Sequence, residues 1–194
     1  MLVGLGGAMS SSIALWMVLA LLAFWCVGLY SRLQRIHARR EEALESLHKH
    51  VQPYANLVLT HLAGNDPAPT TLRKAAADPR LPSGWAHLLQ ALVVLDGALL
   101  EAKRASAGAH SVLTLSNAMS NVLHAWHTLC AMPPDLAGSA VPDGMRMRWD
   151  ALTERVELAR SQFNQISTKY NEAITQFPAR VIARRLGFRP AGVI

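Results

Sequence analysis

The chain has 194 residues, enough for one domain and an anchor, and a formal net charge of +6 from 19 basic and 13 acidic side chains. Charged residues make up only 16%, and the deficit is local: from Leu2 to Ser31 there is no Asp, Glu, Lys or Arg. The mild positive balance suits an anionic membrane surface at least as well as nucleic acid. The two cysteines, Cys26 and Cys130, provide neither a disulfide framework nor a paired metal or redox motif.

In chain order, residues 1–12 read as a tail of small and apolar residues and 13–31 as a transmembrane helix. Ile13 to Tyr30 alone would cover roughly 27 Å as a helix, close to the thickness of a hydrocarbon core. A cleaved signal would want a basic residue before the apolar run and a small-x-small site after it. Neither is here, and Phe24-Trp25 before Cys26 does not fit a lipoprotein site. The reading is an uncleaved anchor. Arg32, Arg35, Arg39 and Arg40 follow at once and act as topology determinants, placing the N-terminus outside and the remaining chain in the cytoplasm.

Residues 32–178 read as a helical bundle domain. Leu33, Ile36, Ala43, Leu47, Val51, Tyr54, Val58 and Leu62 give the first helix one apolar face, with a kink expected at Pro53 and a stop at Gly64-Asn65-Asp66-Pro67. A proline-rich connection from Asp66 to Ser83 has room for one short helix around Thr71 to Ala77. A second long helix presents Trp85, Leu88, Leu89, Leu92, Leu95, Leu99 and Ala102, and breaks at Ser106-Ala107-Gly108. A third runs from about Ser111 to Met132, ended by Pro133-Pro134, and a turn-rich stretch leads on to Gly144.

The last helix carries a heptad seam of Leu152, Val156, Ala159, Phe163, Ile166, Tyr170, Ala173 and Phe177, closed by Pro178. Such a seam serves a coiled coil with another chain, or packs against the other three apolar faces of this one; the second reading is favoured. The fold class is therefore all-α, a single transmembrane helix followed by an antiparallel bundle of four main helices.

Candidate chemistry is sparse. His124 and His127 lie three apart on one helical face, and a metal-binding or hydrolytic membrane enzyme built on them is the alternative function. No Asp or Glu lies within five positions of the pair, against what a zinc hydrolase requires. No nucleophile elbow, phosphate loop or paired carboxylates are present. No catalysis, cofactor or metal is expected.

Residues 179–194 form a basic C-terminal tail, in which Arg180, Arg184, Arg185 and Arg189 alternate with Val181, Ile182, Leu186 and Phe188. Two roles are open to it. The arginines and Phe188 touch the anionic inner leaflet, or Gly187-Phe188 folds back to cap the bundle while the arginines stay solvated.

The last helix and the tail also carry a recognisable pattern: Ala159-Arg160, Phe163-Asn164, Tyr170-Asn171, Phe177-Pro178 and Gly187-Phe188. It resembles the C-terminal motif of LemA-family proteins, an Ala-Arg, two Tyr-Asn pairs seven apart, a Phe-Pro and a Gly-Phe; here Phe163 replaces the first Tyr. Pro134-Asp135-Leu136, Tyr30 to Leu47 and Asn56-Leu57-Val58 resemble further family stretches. A Pro directly before Asn56 and a Trp near Leu44 are missing, and the match is weakest between Pro67 and Ala131. The resemblance implies an N-terminal anchor, a helical bundle and no established enzymatic activity. One branch of the family is associated with building the magnetosome, which implies a bacterial envelope role. The expected function is a scaffold or partner-binding module at the bacterial inner membrane. Its expected partners are anionic lipid and an unidentified protein, with self-association through the seam the remaining option and nucleic acid excluded.

Overall fold

The computed structural model describes residues 5–63, 72–133, 141–177, 179–185 and 187–194. Among these the chain forms six helices and no strand: α1 (Leu5–Ala63), α2 (Leu72–Ala76), α3 (Ser83–Arg104), α4 (Ala109–Cys130), α5 (Asp143–Thr175) and α6 (Ala179–Arg185). The expected stops at Gly64–Pro67, Pro134 and Pro178 lie outside the described residues, as do Leu186 and the side chain of Ile182.

α1 is one helix of 59 residues with Pro53 inside it. At about 1.5 Å per residue it is close to 90 Å long, far more than a bundle of this size can cover. Its two halves differ in kind. Between Leu15 and Tyr30 the large apolar side chains other than Leu29 are exposed, Phe24 to 80% and Leu21 to 71%. From Leu33 onward the buried positions Leu33, Arg40, Leu44, Leu47, Val51, Tyr54 and Val58 recur in steps of three, four and seven, so one stripe faces the other helices.

The four long helices alternate in direction. Tyr54 meets Trp149 and Thr153 while Arg40 meets Tyr170, so α5 runs antiparallel to α1. His61 beside Trp85 and Glu45 bonded to Lys103 set α3 antiparallel to α1. α4 returns along α3, to which it is joined by only Ala105–Gly108. The main core is filled from all four helices, and at its centre Trp149 stacks on Trp126 (4.0 Å, 8°) and meets the Tyr54 ring at a tilt (4.3 Å, 45°). α3 is also long and apolar enough to cross a membrane, but 44% of its most apolar window is buried in this core, against none for α1.

The α3–α4 turn takes an unusual form. The Ala107 N–H donates to the Ala102 carbonyl (2.7 Å) and the Ser106 N–H to that of Lys103 (3.3 Å), the paired bonds that close a helix C-terminus. Glycine normally supplies the left-handed residue there. Here Ser106 (φ 46°) and Ala107 (φ 52°) both take it, a conformation that costs about 1–2 kcal/mol per residue. Ala107 is fully buried, and the Ser106 carbonyl accepts a hydrogen bond from Arg40, so tertiary contacts hold the turn.

The α5 seam is rotated from a strict heptad. Val156, Ala159, Phe163 and Tyr170 are buried as expected, with Leu152, Ile166 and Ala173 half-buried. The stripe then passes through Ser167 and Ile174, and Phe177, expected to end it, is 85% exposed. A straight α-helix drifts about 20° per heptad from a seven-residue repeat, so three heptads after Val156 the seam has turned by about 60°. Ile174, eighteen residues on, is five full turns of 3.6 and stays in register. The helix also ends at Thr175, before Phe177.

Candidate functional site at the basic end of the bundle

Beyond the main core a smaller cluster forms from Leu33 on α1, Tyr170 and Ile174 on α5, Ala183 on α6 and Ala191, with Ile36, Ala173 and Phe188 against it. It gathers the start of the buried part of α1, the end of α5 and the last residues described. The arginines converge here. Arg32, Arg35 and Arg39 on α1, Arg180, Arg184 and Arg185 on α6, and Arg189 beyond it are all exposed.

Residues 187–194, set apart above as a tail, are bound along α5 as a strap. α6 closes with the Phe188 N–H donating to the Ala183 carbonyl (3.0 Å), and Gly187 supplies the positive φ of 78° that this closure requires. The Phe188 ring then drops half-buried beside His37, 6.2 Å away edge-on. The Tyr170 hydroxyl donates to the Arg189 carbonyl (3.1 Å).

Two asparagines grip the rest. Asn171 Nδ2 donates to the Ala191 carbonyl (2.9 Å) and the Ala191 N–H donates back to Asn171 Oδ1 (2.7 Å). Asn164 treats Ile194 the same way, at 2.7 Å both ways, and Arg160 Nε adds a bond to the Ile194 carbonyl (3.1 Å). Each side-chain amide thus stands in for a neighbouring strand. The spacing follows from geometry: seven helical residues rise about 10.5 Å, and three extended ones span about 10 Å. Gly192 is required because a Cβ there would lie 2.6 Å from Val112 Cβ and 3.1 Å from the Ala109 backbone. The Ala-Arg, aromatic-Asn and Gly-Phe pairs quoted above are parts of this one device. Its sequence signal was two asparagines seven apart, each directly after a buried aromatic residue.

The expected contact residues divide. Phe188, for which both membrane contact and folding back on the bundle were open, lies half-buried beside His37, while Phe177, assigned to the seam, is exposed. Phe177 and Val181 (55% exposed) line one shallow depression with Arg180, Arg184 and Arg185, so the apolar-and-basic patch exists with a different phenylalanine.

Arg40 also departs from expectation. Read with its neighbours as a topology determinant after an anchor, it is only 3% exposed. Its guanidinium lies over the Tyr170 ring, 4.6 Å from the centroid, and donates through Nη2 to the Ser106 carbonyl. Burial pulls its pKa below the usual arginine value, opposed by Tyr170 and Glu41, yet a guanidinium remains charged. Burial pushes the Tyr170 phenol up, with Arg40 acting against it. The periodicity held the clue: between Ile36 and Ala43 the apolar face of α1 skips one position, and Arg40 occupies it.

His124 and His127 are both exposed. His124 lines a groove between α3 and α4 with His87 and Asn121; His127 is not among its lining residues. Among the described residues no three His, Cys, Asp or Glu side chains are grouped to hold a metal ion.

A long, half-uncovered helix leading into an antiparallel four-helix bundle, locked by an asparagine-bound strap, defines a class of helical module. The family model of the LemA family matches residues 87–193, more than half of the chain. The protein belongs to the LemA family. The match runs from α3 through the strap, and so includes 87–131, where the motif resemblance was weakest. No curated protein and no solved structure matches the chain.

Proposed function

We propose that this LemA-family protein is a non-catalytic, membrane-anchored module of the bacterial envelope, with residues 13–31 crossing the inner membrane, the N-terminus outside and the bundle in the cytoplasm. The observation that carries the reading is α1 between Leu15 and Tyr30, where the large apolar side chains other than Leu29 are exposed among the described residues. Each Å² of such surface left in water forgoes about 25 cal/mol, and the uncovered length matches a bilayer core. Arg32, Arg35 and Arg39, exposed directly after it, support the inward direction by the positive-inside rule.

Because α1 passes into the core as one helix, the anchor also sets the attitude of the bundle. α6 packs beside the first buried turn of α1, which brings Phe177, Val181, Arg180, Arg184 and Arg185 to the headgroups. Each basic side chain near an anionic leaflet contributes about 1 kcal/mol, enough in sum to limit tilting of a domain already tethered. The long sides of the bundle then remain free for a protein partner on the same membrane.

The test uses the full chain in nanodiscs, with Cys26 and Cys130 replaced and a polarity-sensitive fluorophore on Phe177→Cys. In anionic discs the label reports a headgroup environment, and the signal falls with salt and with the triple change of Arg180, Arg184 and Arg185 to Gln. Identical spectra in neutral and anionic discs, unaffected by that change, would show that the basic end does not touch the membrane.

A further inference from the structure

A cleft of about 800 Å³ opens at the basic end between α1, the α3–α4 turn and the strap; His37, Arg40, Glu101, His110, Ser111 and Arg189 lie on its wall. We infer that this cleft is a binding site for a phosphate-type anion, either inorganic phosphate or the phosphate of a lipid headgroup.

Two independent features point to an anion. The first is Arg40, 97% buried by its 3% exposure, whose Nε has no hydrogen-bond partner. No carboxylate among the described residues forms an ion pair with it; Glu41, next to it in sequence, faces His37 (3.6 Å), and Glu45 is bonded to Lys103 (2.6 Å). A buried cation held by a ring face and one carbonyl, with Glu41 acting on it only at longer range, lacks the paired counter-charge that burial demands. The second is the start of α4, which enters the wall of the same cleft at Ala109; Gly108 has no side-chain cap, and a backbone bridge to Ala191 of the strap covers one side of it. The first-turn N–H groups of a helix have no intrahelical acceptor, and the helix dipole adds to their pull on an anion.

The other groups favour the same ligand. Arg189 is exposed on the rim, and His37 and His110 supply ring nitrogens, against the single carboxylate of Glu101. The Ser111 and Tyr170 hydroxyls are spent on the Gly108 and Arg189 carbonyls, so the donors left are guanidinium, imidazole and those first-turn N–H groups of α4 that the bridge to Ala191 does not use. Phosphate, with several acceptor oxygens and negative charge, matches such a set. Arg40 is ten helical residues past Tyr30, roughly 15 Å, whereas the headgroup layer is about 5–7 Å deep. A lipid phosphate must therefore stand proud of the surface to reach it, and a free anion need not. The site does not depend on the membrane reading, since a soluble anion reaches it however α1 is placed.

The experiment titrates inorganic phosphate into the full chain in maltoside micelles at matched ionic strength, read by calorimetry and by melting temperature. Saturable binding is expected. Arg189→Gln, a rim change that leaves the packing intact, weakens it about tenfold, the loss of one charge-assisted bond. Arg40→Lys, which keeps the charge and removes the Nε donor, weakens it at least as much while circular dichroism stays helical. Nanodiscs with and without phosphatidic acid then identify the source: competition against inorganic phosphate assigns the site to a headgroup, and unchanged phosphate binding assigns it to a free anion. Absence of saturable binding, or equal affinity in the wild type and in a folded Arg189→Gln, overturns the inference.

Discussion

Replacing Trp149 by alanine is expected to destabilise the domain by about 3–5 kcal/mol, a large share of the 5–15 kcal/mol typical of a folded domain. Trp149 is 1% exposed and lies between the rings of Trp126 and Tyr54, so its removal opens a cavity where α1, α4 and α5 meet. It also frees Tyr54, whose hydroxyl donates to Thr153 one turn further along α5 (2.9 Å). Thermal unfolding followed by circular dichroism should show a midpoint lowered by about 10 °C. A midpoint within a degree or two of the wild type would mean that the three rings are not the centre of the core. Leu158→Ala, on the same helix at 62% exposure, is the control and should change little.

The second large effect is local. Changing both Asn164 and Asn171 to alanine removes four hydrogen bonds between α5 and the strap. At about 1 kcal/mol net for each, the strap loses roughly 4 kcal/mol, enough to detach a segment of eight residues without unfolding α3 and α4. Hydrogen exchange should show the Ala191 and Ile194 amides losing protection while those of Leu88 to Leu99 keep it. Equal protection across both segments in the double variant would assign the holding force to Phe188, Ala191 and Ile194 packing alone. Simultaneous loss in both would show that the strap and the bundle unfold as one unit.

Much of this fold is legible from apolar periodicity. The face from Trp85 to Ala102 was read but for Ala98, because a helix covered along one stripe must repeat its apolar residues near 3.6. The alternating direction of the four helices followed from their breaks. Phe177 was misplaced because a heptad was extrapolated beyond Thr175, where the helix ends, along a stripe that had already shifted to Ile174. Arg40 and the strap were missed for a different reason. Both are held by polar groups that bind backbone carbonyls and amides, and such partners leave no periodic trace. Arg40 substitutes for an apolar residue at a buried position by laying its guanidinium on Tyr170, so a charge is found where the pattern reads a gap. Asn164 and Asn171 sit on the flank of the α5 stripe, and only their spacing of seven, equal to three extended residues, records what they bind.

The same logic separates the anchor from the core. α1 and α3 are comparably apolar, and the difference is what covers them: α3 is packed against α1, α2 and α4, whereas the large apolar side chains of α1 from Leu15 to Val27 are exposed. That contrast underlies the placement of α1 in a bilayer, and a cysteine scan in native membranes tests it most directly. With Cys26 and Cys130 replaced, Leu21→Cys and Glu42→Cys are each offered a membrane-impermeant maleimide, before and after the membrane is opened. Both positions are exposed on the isolated chain. The account predicts that Leu21→Cys stays unlabelled throughout and that Glu42→Cys labels only once the membrane is open. Ready labelling of Leu21→Cys in intact cells, or of Glu42→Cys from outside, would contradict it.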